Sequence, residues 1–212
     1  MDGWIEIILH TDDALLGIVA QNVLFAYIFL FMIILLETGL IIFPFLPGDG
    51  LLFSAGVVAA STELNVWILL VVLIIAAVLG NVLNYSVGKV LGNRIRQSDN
   101  FIIKKYIINN LPRTQVFYDK HGGNAIVFGR FFPIIRTYIP FFAGIVKVEK
   151  SLFIEKTIIG AVSWISLFLL LGFFVGEIEW VKNNYGLIFL CLIIITLIPL
   201  LFSLIKKIIS KK

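Results

Sequence analysis

The chain has 212 residues, 60% of them hydrophobic and 14% charged, with a mean hydropathy of +1.04. A soluble domain averages about 45–50% apolar and about 25% charged, so the composition excludes one and points to a polytopic helical membrane protein with no separate soluble domain between its spans. The net charge of +4 is unevenly divided: residues 1–88 hold seven acids and no Lys or Arg, while residues 89–212 hold all 17 basic residues and six acids. The basic residues cluster in loops between apolar runs, which is the positive-inside pattern rather than a nucleic-acid footprint.

The N-terminus has acids and no basic n-region, so a cleaved signal peptide is not expected. Residues 3–10 read as a short interfacial helix, with Asp2, Glu6 and His10 opposite Trp4, Ile5, Ile8 and Leu9. A first span is expected over residues 15–36, closed by Glu37. Residues 41–60 then break the pattern, because "IFPFLPGDGLLFSAG" carries Pro44, Pro47, Gly48, Asp49 and two further glycines where hydrocarbon favours an unbroken helix. A second span is expected over 66–90, with Trp67 near its start as an interfacial anchor.

Residues 94–120 form a basic amphipathic region. Within it "DNFIIKKYIINNL" sets Asn100, Lys104, Lys105, Asn109 and Asn110 against Phe101, Ile103, Ile107, Ile108 and Leu111, as a helix beside anionic lipid would. Residues 124–146, "NAIVFGRFFPIIRTYIPFFAGIV", are a second broken segment, with Pro133, Pro140, Arg130, Arg136 and Gly144. Spans over 152–175 and 185–205 and a basic tail, 206–212, complete the chain.

Positive-inside logic puts both the 89–120 region and the C-terminus in the cytoplasm. An even number of crossings must lie between them, so 124–146 should enter from the cytoplasm and return. If the N-terminus is also cytoplasmic, 41–60 enters from outside and returns. The two broken segments share an opening Phe-Pro, a second Pro and a closing Phe-x-Ala-Gly. The following spans echo each other more faintly, as "LGNVLNYSVGKVLG" and "IGAVSWISLFLLLG". The expected fold is therefore all-α, a helical bundle with two opposed re-entrant segments related as an inverted repeat, the pattern of transporters with a midplane site.

Glu37, Asp49, Arg130 and Arg136 lie in or beside these segments, where each costs roughly 2.5–3.5 kcal/mol if it faces lipid at a helix centre. One reading pairs them as a buried ionic clasp and nothing more, although buried pairs often fail to stabilise relative to apolar packing. The other gives them work. Pro44, Pro47, Pro133 and Pro140 remove backbone donors and interrupt helices, half-helix N-termini attract anions, and the arginines offer bidentate donors suited to phosphate. Glu37 and Asp49 become proton carriers or a charge lock.

No Ser/His/Asp or Cys/His arrangement is evident, "GDG" lacks the Lys-Ser/Thr of a P-loop, and Cys191 stands alone. With only His10 and His121, no metal site is expected, and neither are a cofactor, a nucleic-acid partner or enzymatic activity. The Gly88–Gly92 and Gly172–Gly176 spacings favour close packing within the chain, with a homo-oligomer left open.

Together "ETGLIIFPFLPGDGLLFSAG", "GNVLNYSVGKVLG" and "FGRFFPIIRTYIPFFAG" resemble the DedA family, also called SNARE-associated or VTT-domain membrane proteins, over most of residues 30–176. That resemblance implies two opposed re-entrant helices in a small bundle, with the family's essential acids at Glu37 and Asp49 and its essential arginines at Arg130 and Arg136. Many members have Glu where this chain has Asp49, one methylene shorter. The implied function is lipid transport in the bacterial cytoplasmic membrane, with undecaprenyl phosphate as the expected lipid partner and the C-terminus cytoplasmic. Alternatives are a phosphatidylethanolamine-type flippase or scramblase, a proton-coupled antiporter of a small cation, and a non-transporting membrane scaffold.

Overall fold

The computed structural model describes residues 17, 19, 22–40, 48–96, 116, 118, 120 and 122–178. The expected interfacial helix 3–10, most of the 94–120 region, the span 185–205, the tail 206–212, and Pro44 and Pro47 lie outside them. Among the described residues every regular element is an α-helix: α1 Val23–Gly39, α2 Gly48–Ser61, α3 Val66–Arg96, α4 Asn124–Gly129, α5 Pro133–Ile145 and α6 Lys150–Gly176.

Stretches of α3 (Val66–Gly92) and α6 (Lys150–Gly176), 27 residues each, are long and apolar enough to cross a membrane. At 1.5 Å per residue each spans about 40 Å, more than the ~30 Å hydrocarbon core. Their outer faces are apolar too. On α3, Ile68, Val71, Ile75, Leu79 and Leu83 are exposed, while Leu69, Leu73, Ala76, Ala77 and Tyr85 are buried. In a water-soluble bundle that outer face would be polar; here it suits lipid. Helix α1 follows the same rule, burying Ala26, Leu30, Ile34 and Glu37 and exposing Leu24, Phe25, Ile28, Met32 and Leu36. Glu37 does not close this helix, as its charge had implied. α1 runs on to Gly39, and Glu37 is buried inside its last turns.

The chain divides into two compact units, residues 1–31, 47–73 and 165–212, and residues 32–46 and 74–164. In the first, α2 lies against the C-terminal half of α6, with Phe53 and Val57 packed against Val175. The approach is backbone to backbone. A Cβ on Gly56 would strike the Leu169 carbonyl, one on Gly172 the Phe53 carbonyl, and one on Gly176 would meet Val57. Asn65 starts α3 by accepting the amides of Trp67 and Ile68 at 2.9 and 3.3 Å, and its own N–H donates to Tyr27 Oη of α1 at 2.8 Å.

In the second unit, α4 ends in a loosened turn. Arg130, Phe131 and Phe132 donate to carbonyls three residues back, Phe132 is extended, and Pro133 takes the first position of α5, where its missing N–H has no helical partner to lose. The segment therefore breaks at residues 130–132. Pro140, expected to interrupt as well, instead sits inside α5, which continues through it to Ile145.

Gly123, just before α4, packs on Lys156 near the start of α6, and α5 ends five residues before α6 begins. Both ends of the broken segment thus lie at the N-terminal end of α6. Helix α5 packs on α3 through the same backbone approach that α2 makes on α6. A Cβ on Gly144 would strike the Tyr85 carbonyl, one on Gly88 the Phe141 carbonyl, and one on Gly92 would come within 3.2 Å of Ile145 Cα. The core around it joins Tyr85, Tyr118, Ile126, Ile139, Phe141 and Phe153, with Tyr85 stacked on Phe153 at 4.4 Å between centroids. Tyr118 Oη donates to the Ile139 carbonyl at 2.7 Å, and burial pushes its phenol pKa up, so the donor keeps its proton.

Candidate functional site

Three of the four expected charges meet in the second unit. Arg136, one turn into α5, pairs through Nη2 with Glu37 Oε1 of α1, both side chains being buried. Its guanidinium also lies over the Trp164 ring of α6, 4.9 Å from the centroid, a cation–π contact that strengthens when shielded from water. The broken helix is what makes this arrangement possible: α5 begins at Pro133, so Arg136 projects from a helix start inside the protein.

Arg130 occupies the break itself. Its stem runs across α6 at Gly160, where an added Cβ would lie 2.9 Å from Cδ and 3.1 Å from Nε. Any other residue at 160 would displace the arginine. Arg130 is buried, 6% exposed, and its Nη2 has no hydrogen-bond partner among the described residues. The like charge of Arg136 acts on it, and Glu37 is the only acid among the unit's described buried residues. A buried guanidinium with an unmet donor is costly, and it is the feature that an anion would relieve. On the α6 face below it, Thr157 Oγ1 is also buried without a partner, one turn before Gly160.

Asn84 of α3, fully buried, joins the helices that carry the pair. Its amide donates to the Thr137 carbonyl of α5 at 2.8 Å and, more weakly, to the Thr38 carbonyl of α1 at 3.4 Å.

Asp49 belongs to the first unit, buried in the first turn of α2, where a carboxylate complements the helix dipole. Gly48 is the first residue of that helix. Pro133 starts α5, Pro140 lies within it, and Gly144 serves as its contact with α3 rather than as a break. Sequence reasoning passed over Asn84, Thr157, Gly160 and Trp164. Asn84 had a signal, since an amide in the middle of an apolar span needs a protein partner. Among the described residues, no group of three or more His, Cys, Asp or Glu is placed to hold a metal ion.

Comparison with known proteins agrees with the motifs. The family model for the VTT domain matches residues 46–174. The chain is 38% identical to Protein DedA of Escherichia coli (strain K12) over 204 residues, covering 95% of this chain and 92% of that protein. It is 30% identical to the inner membrane protein YqjA of the same strain over 183 residues, 84% of this chain and 80% of that protein. An uncharacterized membrane protein of Mycobacterium leprae is 32% identical over 174 residues, 81% of this chain and 76% of its own length. No solved structure matches the chain. With the VTT-domain model matching more than half of the chain and Protein DedA matching most of both chains, the protein belongs to the DedA family of VTT-domain membrane proteins.

Proposed function

We propose that this protein is a lipid-phosphate translocase of the bacterial inner membrane, with undecaprenyl phosphate as its lipid. The observation that carries the reading is Arg130, a buried guanidinium with an unmet donor at the break of a membrane helix. The phosphate takes Arg130 first, through charge-assisted hydrogen bonds, and the start of α5 adds the positive end of a helix dipole. Arg136 is recruited next, exchanging Glu37 for the head group. Glu37 then takes a proton or keeps its charge, and Asp49 is the second acid able to carry one. The prenyl chain stays in lipid along the apolar outer faces of the spans.

In this reading 41–60 and 124–146 are the opposed re-entrant segments of an inverted repeat. Two observations support it. Both ends of the 124–146 segment lie at one end of α6. The closing Phe-x-Ala-Gly of each segment also makes the same backbone contact, Phe53 and Gly56 on α6, Phe141 and Gly144 on α3, with the paired helices parallel in both cases. The contact register pairs Gly88 with Gly172, one turn away from the pairing of Gly92 with Gly172 in the faint sequence echo.

The test is to follow surface exposure of the lipid carrier in cells with membrane-impermeant phosphate-directed probes. Arg130→Ala and Arg136→Ala should each abolish the return of the carrier while the protein remains in the membrane. Unchanged carrier recycling in both variants would sink the mechanism.

A further inference from the structure

The face of α3 turned toward α1 and α5 reads Gly80, Asn84, Gly88, Gly92, one residue every four. Residues at that spacing stack along one side of a helix, and each has a defined neighbour. A Cβ on Gly80 would strike the Thr38 hydroxyl and lie 2.8 Å from the Leu35 carbonyl of α1, whereas Gly88 and Gly92 admit Phe141 and Ile145 of α5. The ridge therefore carries α1 at one end and α5 at the other. Asn84 is its one polar member, and it sits where the two helices change over.

Both groups that Asn84 Nδ2 reaches are carbonyl oxygens, of Thr38 and Thr137. A carbonyl can only accept, so the amide orientation is fixed by its partners. Thr38 directly follows Glu37, and Thr137 directly follows Arg136. One side-chain amide thus ties down the backbone beside each member of the ion pair. The Thr137 tie also falls next to the Arg136 carbonyl, which Pro140 cannot serve because it has no N–H.

We infer that Asn84 is a positioning residue that sets the register between Glu37 on α1 and Arg136 on α5, acting through their backbones. This rests on the reading of Arg136 as a ligand-exchanging group, but it is tested separately. With Asn84 present, the pair re-forms in one geometry after each departure of a head group. Without it, α1 and α5 keep their glycine contacts on α3 and lose the fixed offset between the two charges.

Trp164 reports on this directly, because the Arg136 guanidinium covers its ring. In a protein with Trp4, Trp67 and Trp180 replaced by Phe, the emission of Trp164 is compared among the parent, Arg136→Gln, Asn84→Ala, and the two combined. Asn84→Ser is a second variant that retains a small polar residue on the ridge. Asn84→Ala should move the emission in the direction of Arg136→Gln and add nothing to it in the combined variant. In liposomes it should lower the turnover of lipid phosphate about tenfold, the size of one buried hydrogen bond, with the half-saturating concentration little changed. Trp164 emission in both Asn84 variants equal to the parent's, or a further shift in the combined variant, would overturn the inference. Failure of the transport reading would show instead as parental turnover in Arg136→Gln, whatever the fluorescence.

Discussion

The Glu37–Arg136 pair has the energetics of a buried contact. Each charge has left water, and the attraction between them offsets part of that loss. Removing one partner should therefore cost more than removing both. Glu37→Ala should lower stability in detergent by about 3–5 kcal/mol. Replacing Arg136 by Met in the same chain should recover part of that loss, since the double variant no longer buries Arg136 without the acid it pairs with. Denaturant or thermal unfolding of the single and double variants checks this. A double variant no more stable than Glu37→Ala would mean that the pair carries little of the local electrostatic cost. Glu37 and Arg136 were legible in the sequence because ionisable groups stand out against apolar neighbours. Their pairing was legible only as one of several possibilities, since it depends on which helices meet. Asn84 was harder to see. It is neutral, and its two partners are backbone carbonyls, which no side-chain pattern announces.

At the scale of elements, α2 and α5 are short helices held by glycines. Neither owes its place to amphipathic burial, because lipid and protein offer nearly equal apolar surroundings and close packing must supply the difference. Gly56→Ala and Gly144→Ala each force a methyl against a backbone carbonyl of the neighbouring helix, so each should destabilise the protein by about 1–3 kcal/mol, the range for overpacking. Gly17→Ala, with open space around its Cβ, should be neutral or slightly stabilising, as Ala is the better helix former. Melting temperatures of the three variants in one detergent decide it, and equal melting temperatures would contradict the packing account. The Gly88–Gly92 and Gly172–Gly176 spacings made close packing within the chain visible from the sequence, and the Phe-x-Ala-Gly segments are what each packs against. The break was placed less well. Pro140 looked like an interruption, yet α5 continues through it to Ile145, held against α3 by the Gly88 and Gly144 contacts. The 130–132 break follows from the extended residue before Pro133, as expected where proline begins a helix.

At the scale of the molecule, the account requires 124–146 to enter and leave on the cytoplasmic face. In a Cys191→Ser background, Lys120→Cys and Lys150→Cys should react with an impermeant thiol reagent from the cytoplasmic face alone, and Glu63→Cys from the outer face alone; all three native side chains are exposed. Labelling of residues 120 and 150 from opposite faces would make the segment a full span and remove the basis of the inverted repeat. The membrane class was legible from composition, and the two spans α3 and α6 from their length. Which broken segment packs on which span was not, since α2 pairs with α6 and α5 with α3, each across a long stretch of sequence.

The central claim is tested most directly by lipid flux in proteoliposomes containing the purified protein. Labelled polyprenyl phosphate and labelled phosphatidylethanolamine are followed in separate vesicles, with the parent protein, Arg130→Ala and Arg130→Lys. The account predicts transbilayer movement of the prenyl phosphate with the parent, loss of at least tenfold with Arg130→Ala, partial retention with Arg130→Lys because a point charge replaces the guanidinium fork, and little movement of phosphatidylethanolamine. Prenyl phosphate movement at the parent rate with Arg130→Ala, or no movement above protein-free vesicles with the parent, would contradict it.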